Sequence, residues 1–386
     1  MLGKAVWLCA MGAFAASVTV PPGADLTVHE WGTFTSVAGS DGQPMEWLAL
    51  NGSTNLPDFV EHFRDEGFKC GLGGTVRMET PVLYFYSARE TTVSVKVSFA
   101  KGYITEWYPH ASGVEPAVVR PGAHPDGSIR WDNVRLLPGS NSVFPSGDNG
   151  NHYFAARNTA ATPLRVKARG AAEDEKFLFY RGVASAPMPI AATIQPDGKV
   201  LVRNLGTDEI PGVMRIESRG GKLGYQLAGA LRDQALLDTP ALTATRESML
   251  QDLEGTLVAQ GLYVDEARAM IATWRNSWFD EGSRLLYIVP LSAVNAILPL
   301  TINPAPAQTA RVFVGRLELV TPTTERAVEQ AFAAHDEQTL DKYRRFLQPI
   351  VLSMLAKSQD DPVRRRSLTE AMSSVYANAC RWPWRD

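Results

Sequence analysis

The stretch Val28-His29-Glu30-Trp31-Gly32-Thr33-Phe34-Thr35-Ser36-Val37 constrains the fold more than any other part of the chain. Side chains alternate between the two faces of a strand. One face therefore carries His29, Trp31, Thr33, Thr35 and Val37, and the other Val28, Glu30, Gly32, Phe34 and Ser36. Neither face is cleanly polar, as a half-solvated strand's would be, so burial on both sides is predicted. A buried carboxylate is costly unless it is paired or hydrogen-bonded. Glu30 must then find a partner, lose its charge or line a cleft. Two readings of His29 and Glu30 stay open: ties to backbone or to an arginine, or a functional role.

From Ala24 to about Gln226 the signals are those of β structure. Thr92–Phe99 alternates strictly, with three Val and Phe99 on one face, which predicts a half-buried antiparallel strand. Leu164–Ala168 repeats the pattern. Pro196-Asp197-Gly198-Lys199 and Arg219-Gly220-Gly221-Lys222 each separate two strand-like runs and read as hairpin turns. Short strands at this spacing favour a sandwich or a curled double sheet. Long loops are predicted at 39–74, 109–128 and 138–151.

Past Arg232 the apolar spacing becomes helical. Thr239 with Pro240 is a good helix start, and the periodicity runs to Gly261. A second helix is predicted over Asp265–Trp278, completing a hairpin. Strands return at Arg284–Val289 and Arg311–Val320, on either side of a proline-broken connection, and are expected to join the main sheets. The last 60 residues read as helices: one started by Thr321-Pro322, one over Gln338–Lys357 interrupted at Pro349, and one started by Asp361-Pro362. The basic run Arg364-Arg365-Arg366 reads as a solvated face. The predicted fold class is α+β: an antiparallel β-sandwich-like core over 25–320, a helical hairpin inserted at about 239–279, and a helical tail over 321–386 packed on the β domain.

Three motifs carry a resemblance. His29-Glu30-Trp31-Gly32-Thr33-Phe34-Thr35, Arg77-Met78-Glu79-Thr80-Pro81-Val82-Leu83-Tyr84-Phe85-Tyr86 and Trp274-Arg275-Asn276-Ser277-Trp278-Phe279-Asp280-Glu281-Gly282 resemble marks of a family of uncharacterised exported bacterial proteins. The resemblance runs over most of the chain. It implies a compartment and brings no activity, cofactor or catalytic residue.

The N-terminus agrees with export. Lys4 precedes an uncharged run from Ala5 to Val20, and the small residues Ala13 and Ala15 suit cleavage, so residues 1–24 are read as a signal peptide with its cleavage site open. The run is shorter than the roughly 20 residues a spanning helix needs. A periplasmic or extracellular location is expected, with no membrane span in the mature chain. The net charge of −3 and the absence of long like-charge runs argue against nucleic acid as a partner. A cell-envelope polymer or protein is the partner class left open. Removal of Cys9 with the signal leaves Cys70 and Cys380, which an oxidising compartment allows either to pair or to remain as two thiols.

Carboxylates beside aromatic residues raise glycosidic chemistry, which uses two carboxyl groups flanking the bond. Glu30, Glu79 and Glu106 are the candidate catalytic residues. Glu79 is expected at a sheet rim, because Pro81 cannot donate to a ladder and should end a strand nearby. Its alternative is an Arg77–Glu79 pair. None of the six histidines forms a short ligand motif, so a metal would need long-range assembly, with His29, His110 and His152 the only set worth testing. No cofactor is implied: nucleotide loops, dinucleotide fingerprints and nucleophile elbows are missing from the sequence. The leading expectation is a binding or structural module of the cell envelope, and the alternative a secreted hydrolase acting on carbohydrate. The alternative requires two of the three carboxyl groups to share an open cleft about 5–10 Å apart.

Overall fold

The computed structural model describes residues 25–50, 56–63, 72–118, 120, 122–147, 151–168, 170–275 and 277–381, with only the backbone at 168 and 377–381. The segment 1–24 read as a signal peptide, Cys70 and the Cys380 side chain, and with them the disulfide question, lie outside the described residues.

The fold is α+β with three sheets. The largest holds nine strands, numbered in chain order across all sheets. From edge to edge they are Lys222–Leu231 (β14), Ile210–Arg219 (β13), Gly282–Ile288 (β16), Gln308–Leu319 (β18), Thr27–Val37 (β1), Val76–Tyr86 (β3), Leu178–Ala184 (β10), Gly102–Tyr108 (β5) and Glu61–His62 (β2). The stretch singled out from the sequence is thus the central strand, and every residue from Val28 to Val37 is buried. Its pairing with β18 is parallel and all others in the sheet are antiparallel. A central strand covered on both faces has no use for a polar side, which is why the sequence shows none.

Two smaller sheets cover one face of the large one. The first runs Leu300–Asn303 (β17), Thr91–Phe99 (β4), Gly127–Leu136 (β7), Leu164–Ala168 (β8) and Ala171–Glu175 (β9), with Gly113–Glu115 (β6) paired to β7. The second holds Ile190–Ile194 (β11), Val200–Asn204 (β12) and Gln234–Leu237 (β15). One apolar cluster joins all three sheets, with Phe34 and Leu83 on the large sheet, Val95 and Trp131 on the first of the smaller ones and Ile190 on the second. β4 shows the alternation its sequence predicts, with Val93, Val95, Val97 and Phe99 buried.

The other face carries helices from two parts of the chain. Arg246–Ala259 (α1) and Val264–Trp274 (α2) form the hairpin, whose Met249, Leu253, Met270 and Trp274 pack with Trp31, Val82 and Val314. After a short helix at Leu291–Ile297 (α3), the tail holds Pro322–Ala334 (α4), Glu337–Tyr343 (α5), Leu347–Lys357 (α6) and Pro362–Arg381 (α7). Val328, Phe346, Ile350 and Met354 of the tail pack with Val37, Trp47 and Val183.

Three local expectations are corrected. α1 starts at Arg246, capped by Thr245, whose side chain accepts from the Ser248 amide. Thr239 does not cap it, because its hydroxyl donates to the Gly198 carbonyl and accepts from Arg215. Pro349 does not interrupt the tail helix, since it sits in the first turn of α6, where no amide partner is lost. The break falls before it, in the 3-10 turn Arg344–Phe346. Finally, Pro81 does not end a strand. β3 passes through it by means of a bulge: Trp31 faces Val82 and Thr33 faces Glu79, so β3 holds one residue more than β1 over that span. Glu79 is therefore in mid-sheet and 3 % exposed, not at a rim.

Candidate functional site: a buried arginine seam

On the helical face of the large sheet, a polar seam separates the hairpin's apolar cluster from the tail's. Register builds it. Arg316 of β18, Thr35 of β1 and Arg77 of β3 are successive cross-strand partners and so share this face. In the adjacent row Val37 faces Glu318, which faces Arg284 of β16. On the other side Thr33 faces Glu79, and β10 sets Arg181 against Glu106 of β5. The tail adds Arg345 from its 3-10 turn, in an ion pair with Glu79.

Arg181, Arg284 and Arg316 are 4 %, 0 % and 1 % exposed. Arg284 Nε and Arg316 Nε both donate to Glu318 Oε1, at 2.7 and 2.5 Å. Burial pushes the Glu318 carboxyl up, but the Arg284 and Arg316 guanidiniums outweigh it and hold it below the usual carboxylate range. Arg181 donates to Thr80 Oγ1 at 3.1 Å and to His152 Nε2 at 3.3 Å, and Arg77 to the Ala49 carbonyl at 2.9 Å. The Phe346 ring ties the two halves together, with the guanidinium carbons of Arg316 and Arg345 at 5.2 and 5.3 Å from its centroid.

Two features set the seam apart from a satisfied ion-pair network. The first is orphaned polar atoms. Thr33 Oγ1, Thr35 Oγ1, Arg77 Nε, Arg181 Nε, Arg316 Nη2 and Arg345 Nε are buried without a hydrogen-bond partner among the described residues, although Asp280 stands 3.7 Å from Arg316 Nη2. Buried polar groups are nearly always satisfied, and these six can donate to an acceptor, though orphaned atoms also occur elsewhere, at Trp47 Nε1 and Arg215 Nε among them. The second is charge. Among the described residues five guanidiniums meet three buried carboxylates, Glu79, Glu106 and Glu318, with Asp280 on the solvent side. Burial and then Arg77 push Arg181 down to about 9 and Arg345 well below its ordinary value. A guanidinium does not release its proton near neutrality. A counter-anion would relieve that pressure.

Backbone strain marks the same place. Thr80, a β-branched residue, holds φ at 45° inside the β3 bulge, and its hydroxyl accepts from Arg181. Such conformations persist where the surroundings impose them and gather at ligand sites. His152 borders the seam from the 3-10 helix His152–Arg157, with the Trp274 ring 6.0 Å away. Burial, Arg181 and Arg77 together push it down to about 3.

The residues proposed from sequence fall in different places. Glu30 lies on the opposite face, accepting from Tyr180 and from Arg311 Nε at 2.6 Å. Glu79 and Glu106 both join the seam, Glu79 paired with Arg345 and Glu106 accepting from Thr105. The expected Arg77–Glu79 pair is replaced by Arg345–Glu79, and Arg77 donates to the Ala49 carbonyl instead. The three histidines are not brought together: His29 Nδ1 meets Glu266 of α2 at 2.8 Å, His110 Nδ1 meets Glu61 at 2.7 Å, and His152 meets Arg181. No group of three potential metal-ligating side chains exists among the described residues. Arg181, Arg284, Arg316 and Arg345 carried no expectation of function. The signal that could have found three of them is an arginine inside an otherwise apolar strand, as in Leu178–Ala184, Gly282–Ile288 and Gln308–Leu319.

No protein-family model matches the sequence, and no curated protein matches it. Among solved structures the chain is similar to the yeast delta-COP-I mu-homology domain, at 9% identity and a TM-score of 0.28, covering 78% of this chain and 98% of that one. The same domain complexed with the Dsl1 WxWxV peptide gives 8% identity and a TM-score of 0.26 over the same shares. Likenesses at these scores carry no argument, so any functional reading rests on the seam.

Proposed function

We propose that this is an exported binding protein whose arginine seam takes a small polyanion bearing phosphate or carboxylate groups. The observation that carries the reading is the row Arg316–Thr35–Arg77, flanked by Arg181 and Arg345, in which each residue has an orphaned polar atom. Guanidinium forks match carboxylate and phosphate geometry, and a hydroxyl between them can donate to the same oxygen. Arg316 and Arg77 stand two strand spacings apart, about 10 Å at the backbone. That span suits a ligand with more than one anionic oxygen. The export-like N-terminus and the family resemblance support placing this activity outside the cytoplasm. The paired-carboxylate hydrolase has less support, since Glu30 and Glu79 sit on opposite faces of one sheet and each is held by an arginine.

Titration calorimetry of the mature protein with inorganic phosphate, sulfate, succinate and citrate tests the reading. At least one should bind, and the Thr35→Val variant should bind it about tenfold or more weakly, the loss of one charge-assisted hydrogen bond. Because the Thr35 hydroxyl has no partner, the same variant should keep or raise the stability of the ligand-free protein. Absence of binding by all four anions at millimolar concentration, or unchanged affinity in Thr35→Val, would sink the proposal.

A further inference from the structure

The opposite face of β1 leads to a second polar group, with a cavity beside it. Glu30 is 0 % exposed and holds Arg311 Nε through one oxygen and the Tyr180 hydroxyl through the other. Arg311 Nη1 donates to Asn295 Oδ1 at 2.6 Å, while Nη2 is buried without a partner among the described residues. Arg311, Asn295 and Thr309, with the apolar side chains of Leu300, Ile302 and Pro306, line a solvent-open pocket of about 230 Å³ between α3, β17 and the start of β18. This site shares no residue with the arginine seam.

We infer that the cavity binds a small neutral molecule that presents a carbonyl or amide oxygen on an apolar body. Size admits it: an engineered apolar cavity of about 150 Å³ holds benzene, so this one has room for a ring with a polar substituent. The polar wall is rich in donors. Asn295 Oδ1 is already taken by Arg311, which leaves its amide N–H groups, the Thr309 hydroxyl and Arg311 to meet an acceptor. Charge selects a neutral ligand. Glu30 already matches the Arg311 cation, so a carboxylate in the cavity would add an uncompensated negative charge near a buried one. Burial and the Glu30 charge hold the Tyr180 proton in place, and that proton is spent on Glu30. Leu300 and Ile302, on one face of the edge strand β17, then receive the apolar body.

Three probes of nearly equal size separate the possibilities: benzamide, benzoate and toluene. Binding is followed by the backbone amide NMR signals of Asn295 and Thr309 in the full-length mature protein. Benzamide should shift both signals and bind about tenfold more tightly than either benzoate or toluene, the factor one hydrogen bond or one unmatched charge supplies. Asn295→Leu and Thr309→Val, at exposed positions outside the Glu30 pair, should each reduce benzamide affinity while leaving the fold intact. Absence of shifts at those signals, or benzoate or toluene binding as well as benzamide, would overturn the assignment. Full benzamide affinity in both variants would overturn it too.

Discussion

A guanidinium beside a histidine fixes that histidine's protonation. Arg181 Nη2 has only hydrogens to offer, so His152 Nε2 must accept, and the ring must be neutral. The structure agrees with a folded-state value near 3 against an ordinary 6.5. Between those values the unfolded chain binds the proton more readily than the folded one. The contribution of His152 to stability is therefore fully present above about pH 6.5 and is lost as pH falls toward about 3. Each pH unit in that window is worth at most about 1.4 kcal/mol. The variant His152→Gln keeps an acceptor for Arg181 without the titration, so its stability between pH 6.5 and 4.5 should fall less steeply than that of the parent protein. Urea denaturation at several pH values checks this, and parallel curves for the two proteins would refute it. That Glu30 needs a partner, a neutral state or a cleft was legible in the sequence, because a carboxylate on a two-sided buried strand has few options. The identity of that partner was not, since Arg311 lies 281 residues away and meets Glu30 only through the parallel pairing of β1 and β18.

At the scale of elements, the bulge in β3 shows what periodicity alone cannot convey. Strand-like alternation in Thr92–Phe99 and the turn chemistry at Arg219–Lys222 translate directly into β4 and the β13–β14 hairpin, with Gly220 and Gly221 at positive φ. Pro81 reads as a strand end by the same rules. It is kept in mid-sheet because the bulge frees it from the ladder, and Gly32 on β1 makes room. A Cβ at Gly32 would lie 2.6 Å from the Phe313 ring and 3.2 Å from the Pro81 Cα. Gly32→Ala should therefore destabilise the protein by about 1–3 kcal/mol, the usual cost of overpacking. Thr80→Gly acts in the opposite sense. It removes a strained β-branched residue at φ 45°, worth about 1–3 kcal/mol, but also the hydroxyl that positions Arg181. Its stability should hold or rise while anion affinity falls. A variant that lost stability and bound anions normally would show that the bulge serves packing alone.

At the scale of the whole molecule, the seam is where the large sheet, the helical hairpin and the tail meet. The arginines come from β3, β10, β16, β18 and the 3-10 turn of the tail, and Trp274 of the hairpin, with Trp278 just after it, closes the far side. Attachment of the tail at this point is only partly apolar. Phe346 packs on Trp47 at 5.5 Å, while Arg345 must reach Glu79 through a region already crowded with cations. Like charges held together in a low dielectric weaken that attachment, so the 3-10 turn and α6 should open more readily than β1 or β18 in the ligand-free protein. An anion in the seam reverses the balance. Under the proposed function it would pair with Arg345 as well as with the strand arginines, and would bind only when the tail is seated. Ligand at 100 times its dissociation constant adds about 2.7 kcal/mol to any opening that releases it. Amide exchange over Arg344–Phe346 and Leu347–Lys357 should then slow by up to about 100-fold when the best-binding anion is added. Exchange in β4 and β7, on the far side of the sandwich, should change only through global unfolding. Thr35→Val should remove most of the protection without altering exchange in the ligand-free state. Equal slowing throughout the chain, or protection confined to strands with the tail unchanged, would mean that the anion does not bridge tail and sheet.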